Sequence, residues 1–436
     1  MMNVSKNMHA ALITATGALL VVGLLTLTPG TLSVLRADPG ELFVSPGGTG
    51  TACTQVSPCV LQTALDIAKM DGEDDTIYLV PGTYEGNFAY TPGDASSLVI
   101  SGEPGTTAQD VILDGGGDGT VLSLRCFGEG SSVSAKGLTI QNGSESGLRV
   151  YCRNGSIDVS LIHLVVQYNA NEYRGGGIYL DPYENSSVDM EIWDSIIRYN
   201  RSPGYASGRQ GRGGGIQAHS SAGNSSIDLF IVNSLIYKNQ ANWSGGGINA
   251  SASESGDNNT TRVVVINSTI TGNTLTGPDT SWGPGGGLDV VAFSGNGAMA
   301  SLDLYNALVY GNTLPGDQAN DLTIVQDHPG NATVNVYYSD VGEVFTNTWT
   351  GSTPSYGSIN VIHADPVFVE PGGDDYHLSS DSPCIDAGTT AVPDPPGLPI
   401  TDFEGDPRIS DAAPDIGADE FRQRRIFLPL VMEDHP

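Results

Sequence analysis

Positive charge is what this chain has least of. Its 436 residues hold 18 Lys and Arg against 49 Asp and Glu. Residues 1–37 carry Lys6, Arg36 and no acid, so the remainder sets 16 cations against all 49 carboxylates, a net charge of −33. A surface of that sign repels nucleic-acid phosphate and anionic lipid and favours divalent cations. Several reaction signatures are also missing. There is no G-x-S-x-G elbow, no paired Cys and His, no His-x-x-x-His spacing and no twelve-residue calcium loop. The 57 glycines follow no G-X-Y register, which excludes collagen and points to many tight bends. No segment after the N-terminal stretch is apolar enough to cross a bilayer.

The N-terminal stretch itself, residues 1–37, reads as an export signal: Lys6 is followed by an uncharged apolar core, Ala10 to Leu27. Five cysteines suit an oxidising compartment. Cys53 and Cys59 flank a Pro-containing turn and are expected to close a small loop. Cys126 and Cys152 sit at the same offset in Leu122-Ser-Leu-Arg-Cys126 and Leu148-Arg-Val-Tyr-Cys152. On stacked strands about 4.8 Å apart they fall within disulfide range. Cys384 is left over as a buried thiol.

A short block recurs: Arg174-Gly-Gly-Gly-Ile178, Arg212-Gly-Gly-Gly-Ile216, Ser244-Gly-Gly-Gly-Ile248 and Pro284-Gly-Gly-Gly-Leu288. A second block ends each time in asparagine, at Asn169, Asn200, Asn239, Asn273 and Asn312, in steps of 31, 39, 34 and 39 residues. A period of this size marks a solenoid. One period resolves into strands near Ile178–Asp181, Val188–Trp193 and Ser195–Arg198, with apolar side chains at alternate positions. The expected fold is all-β, a parallel β-helix with three strands per turn. The asparagines should stack at a sharp left-handed bend, with a second column at Asp194, Asn233, Asn267 and Asn306. Residues 60–69 alone show helical spacing (Leu61, Ala64, Leu65, Ala68) and are expected to cap the open sheet end. The organisation expected is a signal (1–37), an N-terminal cap (38–75), β-helix repeats (76–362), a small C-terminal region (363–421) and a tail (422–436).

These motifs carry a resemblance. Phe43 to Tyr84 is similar to the opening segment of pectin-lyase-like right-handed β-helix proteins. The Gly-Gly-Gly-Ile and Asn-Ser-x-Ile-x-x-Asn repeats resemble those of bacterial surface β-helix proteins, including the polymorphic outer-membrane repeat. Asp365-Pro-Val-Phe, Asp375-Tyr-His-Leu, Ser382-Pro-Cys-Ile-Asp386, Phe403-Glu-Gly-Asp-Pro-Arg408 and Pro414-Asp-Ile-Gly-Ala-Asp-Glu-Phe421 look like the choice-of-anchor Q domain. Membership would imply a secreted or cell-surface bacterial protein and no particular reaction. The tail lacks an LPxTG-plus-span arrangement. Polysaccharide lyases on this fold use Arg or Lys as base with Ca²⁺, which nominates Arg149 or Arg125.

Aligning the repeats places outward side chains in columns. One reads Ser123, Arg149, Tyr179, Gln217, Asn249, Asp289; its neighbour reads Arg125, Tyr151, Asp181, His219, Ser251, Val291. Tyr173, Tyr205, Trp243 and Trp282 precede the strands on the connectors. Rings beside a polar strip suit a polysaccharide or cell-surface glycan, and Arg125 and Arg149 suit uronate carboxylates. The bland alternative is that these rings pack beneath the connectors. Arg149, Asp181 and His219 are the candidate catalytic group, although Asp181 and Asp289 lie too far apart for glycosidase work. A third column stacks Asp158, Asp189 and Asp228 with Glu191 beside them, a candidate Ca²⁺ site and the sole cofactor suggested. Repeats this regular favour a monomeric structural, adhesive or glycan-binding protein without turnover. The alternative is a lyase or glycosidase acting on an acidic polysaccharide.

Overall fold

The computed structural model describes residues 40–422, apart from 71, 94, 129, 205–210, 254–256, 278–283 and 349–350. The expected signal and most of the tail lie outside these residues. A parallel β-helix makes up the described chain from Glu41 to Ile359. Each coil contributes one strand to each of three long parallel sheets, as in Ile178–Tyr183, Ser187–Trp193 and Ile196–Arg198. Sheet I has eleven strands, from Glu41–Val44 to Ser355–Ile359. Sheet II has nine, from Phe88–Tyr90 to Val344–Thr348, and sheet III nine, from Gly82–Glu85 to Asp340–Val341. Sheet I starts at Glu41, so the β-helix opens before the helix rather than at residue 76. Helix α1 (Leu61–Ala68) buries the four residues that its spacing singled out, Leu61, Ala64, Leu65 and Ala68.

Alternation drives the winding. In Ser187–Trp193, Val188, Met190 and Ile192 turn inward and are buried, while Asp189 and Glu191 turn outward. Each inward side chain meets its equivalents above and below, so one interior column of apolar residues runs along the axis. Burying each of these side chains is worth about 1.5–3 kcal/mol. Cys126 pairs in register with Cys152, and the two form a disulfide inside the helix, as do Cys53 and Cys59 in the N-terminal loop.

The glycine runs let coils approach. A Cβ on Gly176 would lie 2.4 Å from the Arg201 carbonyl oxygen, and one on Gly214 2.4 Å from that of Gln240. The asparagines stack as expected. Asn200 accepts from the Asn169 backbone N–H (3.1 Å) and side-chain amide (3.0 Å), and the same pairing continues through Asn239, Asn273 and Asn312. One detail is corrected. The left-handed residue is the one before each ladder asparagine: Tyr168, Tyr199, Lys238, Gly272 and Gly311. The asparagine is selected for its amide, which bridges two coils, and not for its backbone.

Left-handed backbone does occupy the second column, at His163, Asp194, Asn233, Asn267 and Asn306. This column also has a task beyond stacking. Asn233 donates to Thr401 O (3.2 Å), Asn267 to Asp415 O (3.3 Å) and Asn306 to Thr389 O (2.8 Å). The C-terminal region thus docks on the side of the β-helix. Leu378, Cys384 and Ile416 pack there against Leu308. Arg408, 1 % exposed, donates to Ala418 O (2.7 Å) and to Asn233 Oδ1. The leftover Cys384 is buried, with its Sγ 3.4 Å from Asp340 Oδ2, and burial pushes its thiol pKa up.

Candidate functional site

The register places the expected columns on the outer face of sheet II. Ser123, Arg149 and Tyr179 are cross-strand neighbours, followed by Gln217, Asn249 and Asp289. Beside them run Arg125, Tyr151 and Asp181. The columns split into two environments.

From the coil of Ile178 onward the columns are covered, which corrects the expectation of one long open strip. Gln217, Asn249 and Asp289 are buried, as are Tyr179, His219 and Ser251. Gln217 donates to Asn249 Oδ1 (2.8 Å) and Ser251 Oγ (3.1 Å), and His219 Nδ1 lies 2.9 Å from Ser251 Oγ. Connector side chains close over them. Arg212 stacks on Trp243 at 4.2 Å and Phe293 at 5.1 Å, and Arg174 on Tyr173 at 4.6 Å. Tyr173 and Trp243 are thus half-buried, each against a connector arginine; Tyr205 and Trp282 lie outside the described residues. Burial pushes Asp289 up to about 8 despite hydrogen bonds from Ser244 and the Gly285 N–H. It pushes His219 well down, with Arg174 and Arg212 adding to the effect. At neutral pH both groups are held uncharged beneath the loops.

The proposed catalytic group is only partly assembled. Arg149 and Asp181 form an ion pair at 2.9 Å, while His219 turns to Ser251 and Asp181 instead accepts from Ser221 (3.2 Å).

Over the three earlier coils the face is open. Arg125 and Arg153 are exposed, Arg149 and Tyr151 partly so, and Phe127 is 59 % exposed. Phe127, Arg153 and Tyr183 are register neighbours, so rings and guanidinium groups alternate across adjacent strands. Arg149 lies over Tyr151 (5.7 Å) and Tyr179 (5.3 Å), and Arg153 over Tyr183 (5.4 Å). Arg153 is held by Glu184 at 2.7 Å; Arg125 has no acidic partner among the described residues. Phe127, Arg153 and Tyr183 were missed in the sequence because the aligned columns were stopped one pleat short. Continuing the alternation by two residues finds them.

On sheet I, Asp158, Asp189 and Asp228 are register neighbours, followed by Arg262. They line an open trough of about 530 Å³ with Glu191, Ser134 and Phe230. Asp189 is raised by burial first, then by Asp228 and Asp158. Arg262 reaches Asp228 and Asp303 at 3.7 Å each, and Glu191 accepts from the Trp193 indole at 3.0 Å. Among the described residues, the metal-ligating atoms that converge within 4.8 Å of one another belong elsewhere, to His377, Glu404 and Asp419. The aspartate strip does not converge so closely, because each carboxylate stands on its own coil.

No family model matches the chain, and no curated protein matches it. Solved structures share its architecture at low identity. Pectate lyase Pel9A is 13 % identical with a TM-score of 0.42, over 88 % of this chain and 96 % of that one. The alginate lyase from Paenibacillus sp. strain FPU-7 is 12 % identical with a TM-score of 0.31, over 74 % of this chain and all of that one. Likeness at this level says nothing of activity.

Proposed function

We propose that this is an exported or cell-surface β-helix that binds an acidic polysaccharide on the open end of sheet II. One observation carries the reading. A chain with 18 cations and 49 carboxylates places Arg125, Arg149 and Arg153 together on two adjacent coils, interleaved with Phe127 and Tyr151 and followed by Tyr183 on the next. Guanidinium groups suit carboxylates as planar forks, and rings suit the apolar faces of sugars. A rigid sheet sets both at the strand spacing, so little ordering is needed on binding. Two disulfides and the expected signal support export.

Binding without turnover is the reading favoured here. Arg149 is neutralised by Asp181, and the groups suited to proton transfer, His219 and Asp289, are buried. The test is retention on immobilised polyuronate. The double substitution Arg125→Gln, Arg153→Gln should weaken retention at least about tenfold, the loss of one good charged contact, while leaving the fold intact. Release of unsaturated products from the polymer by the wild-type protein would instead establish a lyase.

A further inference from the structure

A second furrow runs along the helix axis on a different face, beside the asparagine ladder. Two hollows, of about 290 and 550 Å³, adjoin along it, with Tyr168 and Arg201 lining both. The furrow crosses the coils of Gly116, Asn142, Tyr168, Tyr199 and Lys238, which are successive neighbours in sheet III. Four steps at the strand spacing make it about 19 Å long. Its far end is free of obstruction, since a Cβ at Gly116 or Gly117 would meet nothing within 4 Å.

The rings here are unusual for their backbone. The position before each ladder asparagine is left-handed, where glycine is at ease and a bulky residue is strained. Later coils place Gly272 and Gly311 there, at φ 62° and 73°; these two coils place Tyr168 and Tyr199, at φ 56° and 54°. The rings stack almost parallel, with centroids 5.3 Å apart and planes 10° apart. Tyr199 is braced by a 2.6 Å hydrogen bond from its hydroxyl to Asp374, which also pairs with Lys238. Tyr168 has no such role in docking the C-terminal region and is 53 % exposed. Arg201 stands exposed beside the rings, with no acidic partner among the described residues.

We infer that this furrow is a binding site for a carboxylated oligosaccharide. Tyr168 and Tyr199 form the stacking platform, Arg201 takes a carboxylate, and the chain of sugars runs parallel to the β-helix axis toward Gly116 and Gly117. Length, aromatic floor and an unpaired cation match a linear anionic glycan better than a compact ligand, which would fill only one hollow.

The test is calorimetric titration of the full chain with tetragalacturonate and with its carboxyl-reduced, neutral counterpart. It is run in the Arg125→Gln, Arg149→Gln, Arg153→Gln background so that the sheet II face has lost all three of its guanidinium groups. Tetragalacturonate should still bind there, and Tyr168→Gly should weaken that binding at least tenfold. Because glycine suits the left-handed backbone, the Tyr168→Gly protein should melt no lower than its parent. Arg201→Gln should erase the preference for the charged tetramer. Loss of all binding in the Arg125→Gln, Arg149→Gln, Arg153→Gln background would overturn the furrow and leave the sheet II face standing. Binding there that survives both Tyr168→Gly and Arg201→Gln would overturn it too. Equal affinity for the neutral tetramer would overturn the assignment of a carboxylated ligand.

Discussion

Asn312 donates both its backbone N–H and its side-chain amide to one oxygen of Asp321, each at 2.9 Å. The aspartate ends a ladder that has one direction. Every asparagine in it accepts through Oδ1 from the coil before and donates through Nδ2 to the coil after. The last position needs acceptors alone, and a carboxylate supplies only acceptors. Its second oxygen accepts from the Glu343 N–H at 2.9 Å.

Asp321→Ala should therefore strand the buried Asn312 N–H, leave the Asn312 amide with Ile270 O alone and free the part-buried Glu343 N–H, and destabilise the protein by about 1–3 kcal/mol. Asp321→Asn keeps the accepting oxygen and should cost far less. Chemical denaturation of the two variants checks this. Equal losses would refute the role given to the oxygen that accepts from Asn312.

The buried pair Cys126 and Cys152, 26 residues apart in sequence, ties two coils from inside the core. Replacing both by alanine should lower stability by about 3 kcal/mol, mainly through a freer unfolded chain. The altered protein should still bind polyuronate, since Arg125 and Arg153 remain on strands held by their neighbours. Denaturant melts and retention measured side by side test both halves.

Three buried acids hold protons that the unfolded chain would release. Burial raises Asp289 to about 8, Glu420 to about 7 and Asp415 to about 6, against about 4 when unfolded. The native state thus binds more protons than the unfolded state between about pH 4 and pH 8. Stability must fall as pH rises through that window. The melting temperature should be higher at pH 5 than at pH 8, and Asp289→Asn should flatten the slope. A melting temperature that climbs toward pH 8 would refute the assignment.

Asp189 stands between Asp158 and Asp228 on the sheet I trough, and like charges facing across strands destabilise by about 0.2–1 kcal/mol. Asp189→Asn should raise the melting temperature slightly at pH 7, and less so in high salt, where the repulsion is already screened. Ca²⁺ should shift the wild-type melting temperature little. A clear rise on adding Ca²⁺ to chelator-treated protein, abolished by Asp189→Asn, would instead establish the strip as a cation site.

The repeat alone determined most of the architecture. Its period, its alternation and its asparagines specify which residues stack, because those are local properties copied from coil to coil. The Cys126–Cys152 bridge and the buried face of α1 were legible for the same reason. Tertiary structure decided which outward columns meet solvent. Gln217 and Arg153 sit on the same face of the same sheet, yet one lies beneath the connectors and the other does not. The furrow depends likewise on Tyr199 meeting Asp374, 175 residues away in the chain. Alternation says which way a side chain points, but cover comes from segments that share no period with it.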